Sequence, residues 1–457
     1  MFKGKSLAVL TSVLVTVTCV VIYLEWRAVQ DIRKGLSGTE LKSLFAKGRH
    51  ALLHRMVISG GHSWGGPAAD TRGPGPPAPA APAAPALRGA SGASTTVLSV
   101  AGSDVELRPD LRISTELPSF PTPREVRHPS CIRDFDLQTL PRASLVIPYL
   151  NETWAQISAT VASLVAHSPL EVVDEILFID DGNAPEWQHH HELLSLHPKV
   201  KVHRNEVRQG LIRAKVIGAA LIDSPVIIFM EPHCVVSRQW LEPLLEQLAL
   251  SKDHRTLVMP TLDIIPENNF NQYLPANHHI GGFDWTLTFG WKDLIEKRNS
   301  SYTYPDPYPT PALSGGIFGI WKDNWEQMGT YDINMTEWGG EHIEMSLRTW
   351  RCHGRILVVP CSRMGHVFRA KNPYIVHVPE VMKNTKRAAL VWLDEHLEDY
   401  YKKVPYARQI QAGDVSERIK LKESLECESM DWYMDNIYPE LRAELTPKPH
   451  HLRTAHH

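Results

Sequence analysis

The sequence predicts an α/β protein built on a mostly parallel, Rossmann-like sheet covered by helices on both faces. Three observations carry this. From Ala143 onward, short apolar runs alternate with segments of helical period, the pattern of a parallel sheet joined by crossover helices. Two of those runs, FIDDGNAP from Phe178 and FMEPHCVV from Phe229, drive straight into acid. The chain has 457 residues and a 43% hydrophobic fraction, enough for one large globular domain.

The elements follow in order. ASLVIPY from Ala143 reads as a buried strand. AQISATVASLVAHS then places Ile157, Val161, Leu164 and Val165 at helical spacing. VVDEILFIDD is a second strand and KVKVHRN a short third. QGLIRAKVIGAAL is a helix entered through Gly210, PVIIFMEPH is a strand again, and WLEPLLEQLAL is a helix. In such sheets ligands bind beyond the carboxyl ends of strands, at a topological switch point. Asp180-Asp181 and Glu231-Pro232-His233 fall at such ends. Residues i and i+2 of a strand point the same way, so the acid-x-His triplet offers a carboxylate and an imidazole to one ion. That mixed donor set points toward Mn²⁺ over Mg²⁺. A divalent cation there neutralises charge developing on a diphosphate leaving group, the chemistry of a nucleotide-sugar site. The structural alternative is that acids at strand ends only start turns or cap helices.

The ends have a different character. Leu7–Leu24 runs without a charge and spans roughly 27 Å as a helix, close to bilayer thickness. Lys3 and Lys5 precede it, which predicts a cytoplasmic tail at 1–6 and a type II signal anchor at 7–24. Arg27, Arg33 and Lys34 oppose that orientation, and a cleaved signal peptide is the alternative. Residues 25–125 read as a lumenal stem. Its centre, GPGPPAPAAPAAPALRGASGAS, is too poor in aromatic and β-branched residues to bury a core, so the stem is expected to be disordered. A net charge of −3 predicts no nucleic-acid partner. Cys19 lies in the apolar run. The other five cysteines face an oxidising compartment, and their odd number leaves at least one unpaired within the chain. Asn151, Asn299 and Asn334 stand in N-x-S/T sequons.

GLIRAK, WLEPLL, GGFDWTLTF, SGGIFGI, GTYD, WGGEHIEMSLRTW, VPCSRMGHVFR and WYMDNIYPE occur in one order along the chain. Together they resemble the polypeptide N-acetylgalactosaminyltransferases, Golgi enzymes that begin mucin-type O-glycosylation. The likeness runs from about Arg124 to Leu441, about 70% of the sequence. It implies a glycosyltransferase-A catalytic domain at 126–441, UDP-GalNAc as donor, Mn²⁺ as cofactor, and retaining transfer to Ser or Thr of polypeptide acceptors. It also implies a single-pass type II Golgi membrane protein with its catalytic domain in the lumen. Residues 442–457 are expected to be a tail, with no ricin-like lectin domain after it.

By position, Asp181 is expected to contact the uridine-ribose end and Arg208 to help hold the nucleotide. Glu231, His233 and His366 are the implied metal ligands. Trp338 and Glu341 bracket the sugar and the reacting centre, and Gly315-Gly316 let backbone approach the GalNAc. Arg369 sits on the loop that closes over UDP. The structural alternatives are a satisfied His366, a core Trp338, and a Gly315-Gly316 pair that only shapes a turn; Asp263 in TLDIIP resembles a family stretch, is open to a structural reading, and is left out of the site. The family cysteines imply the pairs Cys131–Cys361 and Cys352–Cys427, leaving Cys234 free.

The departures from the family pattern gather in the expected cleft. Glu231-Pro232-His233 stands where Asp-Ser-His is usual. Leu150 replaces the His of F-H-N-E, and Pro148 stands where a small or polar residue is commoner. His342 replaces the Asn of WGGEN, and Gln209 the Glu of R-E-G. Two functions follow: a transferase with a re-tuned site, or a pseudo-glycosyltransferase retained for binding or regulation.

Overall fold

The computed structural model describes residues 102–293, 303–369 and 371–445. The expected membrane run, the Pro/Ala-rich centre of the stem, the Asn299 sequon and the His-rich tail lie outside these residues. Among the described residues no helix is long and apolar enough to cross a membrane.

The alternation read from the sequence is the alternation that forms. Strand β1 (Gly102–Val105) precedes β2 (Ala143–Tyr149), α1 (Trp154–His167), β3 (Val173–Asp180), α2 (His190–Leu196), β4 (Val200–Asn205), α3 (Leu211–Leu221) and β5 (Val226–Phe229). Then come β6 (Cys234–Val236), α4 (Glu242–Leu250), β7 (Thr256–Pro266), the hairpin β8 (His279–Phe283) and β9 (Phe289–Asp293), β10 (Tyr308–Pro309), β11 (Phe318–Trp321), α5 (Lys322–Gln327), α6 (Glu341–Arg351) and β12 (Arg355–Phe368). A helical segment closes the domain: α7 (Val378–Trp392), α8 (Leu397–Lys403), α9 (Ser416–Ser424), α10 (Met430–Asn436) and α11 (Pro439–Ala443).

The main sheet has the order β1-β4-β3-β2-β5-β11-β7-β12-β10, with β6 paired to β12. Alternate residues of its strands feed two cores. Val146, Ile179, Ile227 and Phe229 pack on one face. Leu145, Ile147, Phe178 and Ile228 pack on the other. Two-sided burial explains why these runs are apolar throughout instead of alternating.

The expectation of a mostly parallel sheet holds for one half only. β4, β3, β2 and β5 are parallel, whereas β11 runs antiparallel to both β5 and β7. The chain reaches β11 through the β8–β9 and β10 excursion instead of a crossover helix, so it enters from the opposite end. The sheet also begins upstream of residue 126, because β1 pairs with β4, Gly102 opposite Asn205.

The chain builds β2, β3 and β4 outward in one direction and then returns to lay β5 on the other side of β2. This reversal is the switch point. The carboxyl ends of β2, β3 and β5 therefore converge where Tyr149–Glu152, Asp180-Asp181 and Met230–His233 leave the sheet.

Disulfides Cys131–Cys361 and Cys352–Cys427 form, separated by 230 and 75 residues, and Cys234 is free and buried. Closing loops of this length contributes about 4–5 kcal/mol each in the chain-entropy picture.

Candidate functional site

A cleft of about 240 Å³ opens at the switch point. Asp181, Arg208, Glu231, His233, Trp338, His366 and Arg369 all line it. Seven residues named from the sequence thus meet in one place, although they are spread over 189 positions from 181 to 369.

The ladder between two strands assembles the metal-type triad. β6 pairs antiparallel with β12, setting Cys234 opposite His366, and the Val367 N–H donates to the His233 carbonyl at 3.2 Å. The 231–233 turn is therefore stapled beside His366. From α1, the Thr160 hydroxyl donates to the Pro232 carbonyl at 2.8 Å and accepts the Cys234 N–H at 3.1 Å, which fixes the turn from behind.

Ligand-type atoms of Glu231, His233 and His366 lie within 4.8 Å of one another. His366 Nε2 contacts Glu231 Oε2 directly, and His233 Nε2 is 3.4 Å from the same oxygen. One carboxylate and two imidazoles in a half-buried pocket fit a divalent cation such as Mn²⁺. Burial opposes ionisation of Glu231, but the two histidines outweigh it and hold the carboxyl well below its usual range. Burial also opposes charge on His233, yet hydrogen bonds to Glu152 and Glu231 prevail and push it up to about 9. Burial keeps His366 below the usual imidazole value. Ligation by both imidazoles requires the loss of protons from this cluster.

Glu152 was not singled out from the sequence. Its buried carboxylate accepts from His233 Nδ1 at 3.1 Å and from Arg369 Nη1 at 2.9 Å on one oxygen, and from Arg369 Nη2 at 2.6 Å on the other. The available signal was an acid in the Tyr149–Glu152 turn, beside the T-x-x-Q capping pattern of α1. In that cap Thr153 accepts the Gln156 N–H at 3.4 Å, while the Gln156 side chain accepts from Arg369 at 2.6 Å instead of folding back.

Asp181 lines the nucleotide side. Its carboxylate is already engaged by Asn205 Nδ2 at 3.0 Å and by the N–H groups of Gln209 and Gly210, each at 2.8 Å. Burial nevertheless pushes its pKa up. Asp181 therefore shapes the 205–210 loop that presents Arg208, whose guanidinium lies 5.6 Å from the Tyr374 ring centroid. Gly210, at φ +83°, is required by a close approach: a Cβ there would fall 2.4 Å from the Glu337 Cα. That contact delivers Trp338, 37% exposed, to the cleft wall.

Gly315, Gly316 and Glu341 are placed differently. None is among the residues that line the cleft. Glu341 begins α6 and is buried, with Oε2 lacking a hydrogen-bond partner among the described residues. A Cβ on Gly316 would lie 2.9 Å from the Glu231 carboxyl carbon, and one on Gly315 would lie 2.7 Å from the His342 Cβ. The glycine pair thus makes room for the Glu231 carboxylate and for the His342 Cβ. His342 is wedged further, its Nδ1 3.7 Å from Glu341 and its ring edge-on to Phe289. Beneath them the buried Lys215 donates to the Gly315 carbonyl at 2.6 Å.

Leu150 lines the cleft beside Asn151, whose side-chain amide donates to the Pro373 carbonyl at 3.2 Å. Asp263 forms a buried ion pair with Arg363 and accepts from the Tyr273 hydroxyl at 2.9 Å, a structural role.

The family model for glycosyl transferase family 2 matches residues 144–324, and the model for the N-terminal domain of galactosyltransferase matches 297–373. The chain is 40% identical over 323 residues to polypeptide N-acetylgalactosaminyltransferase 4 of Caenorhabditis elegans, covering 69% of this chain and 54% of that one. It is 39% identical over 322 residues to polypeptide N-acetylgalactosaminyltransferase 14 of Homo sapiens, covering 69% and 57%. It spans little more than half the length of these curated relatives. The crystal structure of GalNAc-T7 with UDP, GalNAc and Mn2+ is similar in fold, with a TM-score of 0.64 and 32% identity over 70% of this chain and 62% of that one.

Proposed function

Because the chain belongs to the polypeptide N-acetylgalactosaminyltransferase family, we propose that it transfers GalNAc from UDP-GalNAc to Ser or Thr hydroxyls of polypeptides, with retention at the anomeric carbon. The observation that carries this reading is the convergence of Glu231, His233 and His366 in one cleft with Asp181 and Arg208. Glu231, His233 and His366 would hold Mn²⁺, which when bound supplies Lewis-acid stabilisation of the diphosphate leaving group. Arg208 and Arg369 supply further positive charge along the same wall. The 205–210 loop, fixed by Asp181, orients the nucleotide, and Trp338 screens the reacting centre from water.

Retention by double displacement needs a protein nucleophile beside the anomeric carbon. Glu341 is the nearest acid of the inferred site, and it is buried outside the cleft lining. Same-face attack needs only an acceptor hydroxyl held against the leaving diphosphate, whose oxygen takes the proton. That route asks nothing of Glu341 as a nucleophile, and it is the one proposed.

The setting proposed is a type II Golgi membrane protein, anchored by residues 7–24 with the catalytic domain in the lumen. The charge-free run and the basic residues before it support this reading.

A second reading, a catalytically impaired binding or regulatory protein, is favoured by one observation: Glu231 and His342 fill the space beside Gly315-Gly316, where not even a methyl group would fit. The deciding experiment is a transfer assay with UDP-GalNAc and a panel of Ser/Thr/Pro-rich peptides. Transfer supports the first reading. UDP binding without transfer to any peptide, and without donor hydrolysis, supports the second.

A further inference from the structure

We propose that Glu152 is a positioning residue that couples the ligand His233 to the cleft segment headed by Arg369, so that cation binding and the placement of that segment reinforce each other. The proposal rests on the metal reading of Glu231, His233 and His366.

Of the two imidazoles in the triad, only His233 has its second ring nitrogen engaged. His233 Nδ1 donates to Glu152 Oε1 at 3.1 Å, whereas His366 Nδ1 is buried without a partner among the described residues. A carboxylate at Nδ1 leaves Nε2 as the ligand nitrogen and fixes the ring plane. The same Oε1 takes Arg369 Nη1 at 2.9 Å, and Oε2 takes Nη2 at 2.6 Å. One side chain therefore serves a metal-type ligand and a two-point guanidinium clamp.

Its own position is held independently. Asn151, at φ +54°, donates its N–H to Asn183 Oδ1 at 2.8 Å, and the Glu152 carbonyl faces His189 Nε2 at 3.2 Å. The turn is thus anchored to the β3 end and to the start of α2, and neither anchor is part of the clamp. Asn151 also reaches Pro373, so adjacent residues of one turn grip the 369–374 segment at two points. With the turn fixed, displacement of Arg369 strips Glu152 of two of its three side-chain hydrogen bonds and frees it to swing from His233. Rotation of His233 disturbs the clamp in return. Coupling of this kind is reciprocal: whatever the segment contributes to cation affinity, the cation must contribute to ordering the segment.

The test uses the full-length chain with Mn²⁺ alone as the probe, combining calorimetric titration with hydrogen exchange at the Asn372 and Tyr374 amides. In the wild type Mn²⁺ is expected to slow exchange at these amides. Glu152→Gln is expected to weaken Mn²⁺ about 10–100-fold, the usual cost of losing a partner behind a ligand. At saturating Mn²⁺ it is also expected to show no slowing. Arg369→Gln is expected to lose the slowing with a smaller loss of affinity. Should Glu152→Gln fail to fold, Glu152→Asp keeps the charge but shortens the reach, and the same two losses are expected at smaller size. A folded variant that binds Mn²⁺ like the wild type, or that keeps the Mn²⁺-dependent slowing, overturns the coupling while the metal reading stands. A wild type that binds no Mn²⁺ overturns both.

Discussion

The two ends of the cleft are built on different terms. At the nucleotide and metal end, Asp181, Arg208, Glu231, His233, His366 and Arg369 face one cavity, and all but Arg208 are held by side-chain hydrogen bonds or by strand pairing. At the proposed sugar end, Gly315, Gly316 and Glu341 are not among the residues lining that cavity; Glu231 and His342 occupy the space beside the glycine pair, and His342 lies 3.7 Å from Glu341. The departures from the family pattern are not confined to one end: Pro148, Leu150, Glu231 and Pro232 line the cavity, whereas His342 stands against Gly315 outside its lining. Asp181, Arg208, His233, His366 and Arg369 are not among those departures. Glu231 joins the two ends, since it is a member of the metal-type triad and also stands against Gly316.

Perturbing each end in turn sharpens that contrast. The largest effect belongs to the metal end. His366→Ala removes a ligand and leaves Glu231 short of a partner, and Mn²⁺-dependent UDP binding is expected to fall at least 100-fold by calorimetry, beyond the range for changes behind a ligand. Next comes Glu231→Asp with Pro232→Ser. Drawing the carboxylate back from Gly316 and restoring an N–H to the turn is expected to raise GalNAc transfer about tenfold, less than the His366 loss. Transfer that falls in this double variant breaks the link between Glu231 and the sugar end.

Gly316→Ala is expected to weaken Mn²⁺ about three- to tenfold in the wild type, since the new methyl sits against Glu231. In the Glu231→Asp background the same change is expected to be nearly silent, and equal losses in both backgrounds contradict the crowding. The smallest effect lies remote from both ends. Hydrogen bonds from Arg127, held against burial, depress the Glu125 pKa. A depressed carboxyl adds stability that is present above its unfolded value of about 4.3 and is lost as pH falls through its folded value. Glu125→Gln is expected to lower thermal stability by under about 1 kcal/mol near pH 6, with the difference closing as pH falls below the ordinary carboxylate value and UDP affinity unchanged.

Much of this was legible in the sequence, for identifiable reasons. β2 and β3 announce themselves because both of their faces are buried, so they read as continuous apolar runs. The metal-type residues were legible because Glu231 and His233 sit two apart at a strand end, and because His366 lies in a recognisable SRMGHVFR stretch. The reversal at β11 was not legible, since FGIW reads the same in either direction and only its partners β5 and β7 set its sense. Glu152 was missed because its value lies in contacts 81 and 217 residues away, to His233 and Arg369. The role of Gly315-Gly316 stayed open between two readings for a related reason: a glycine pair looks alike in sequence whether it approaches a ligand or yields to Glu231 and His342.

A cation-assisted nucleotide site is the central role proposed for the cleft. The measurement that tests this most directly is a calorimetric titration of the full-length chain with UDP, with and without Mn²⁺. UDP binding that tightens at least tenfold when Mn²⁺ is added is the expected result. UDP affinity that is the same in the presence and absence of Mn²⁺ would contradict it.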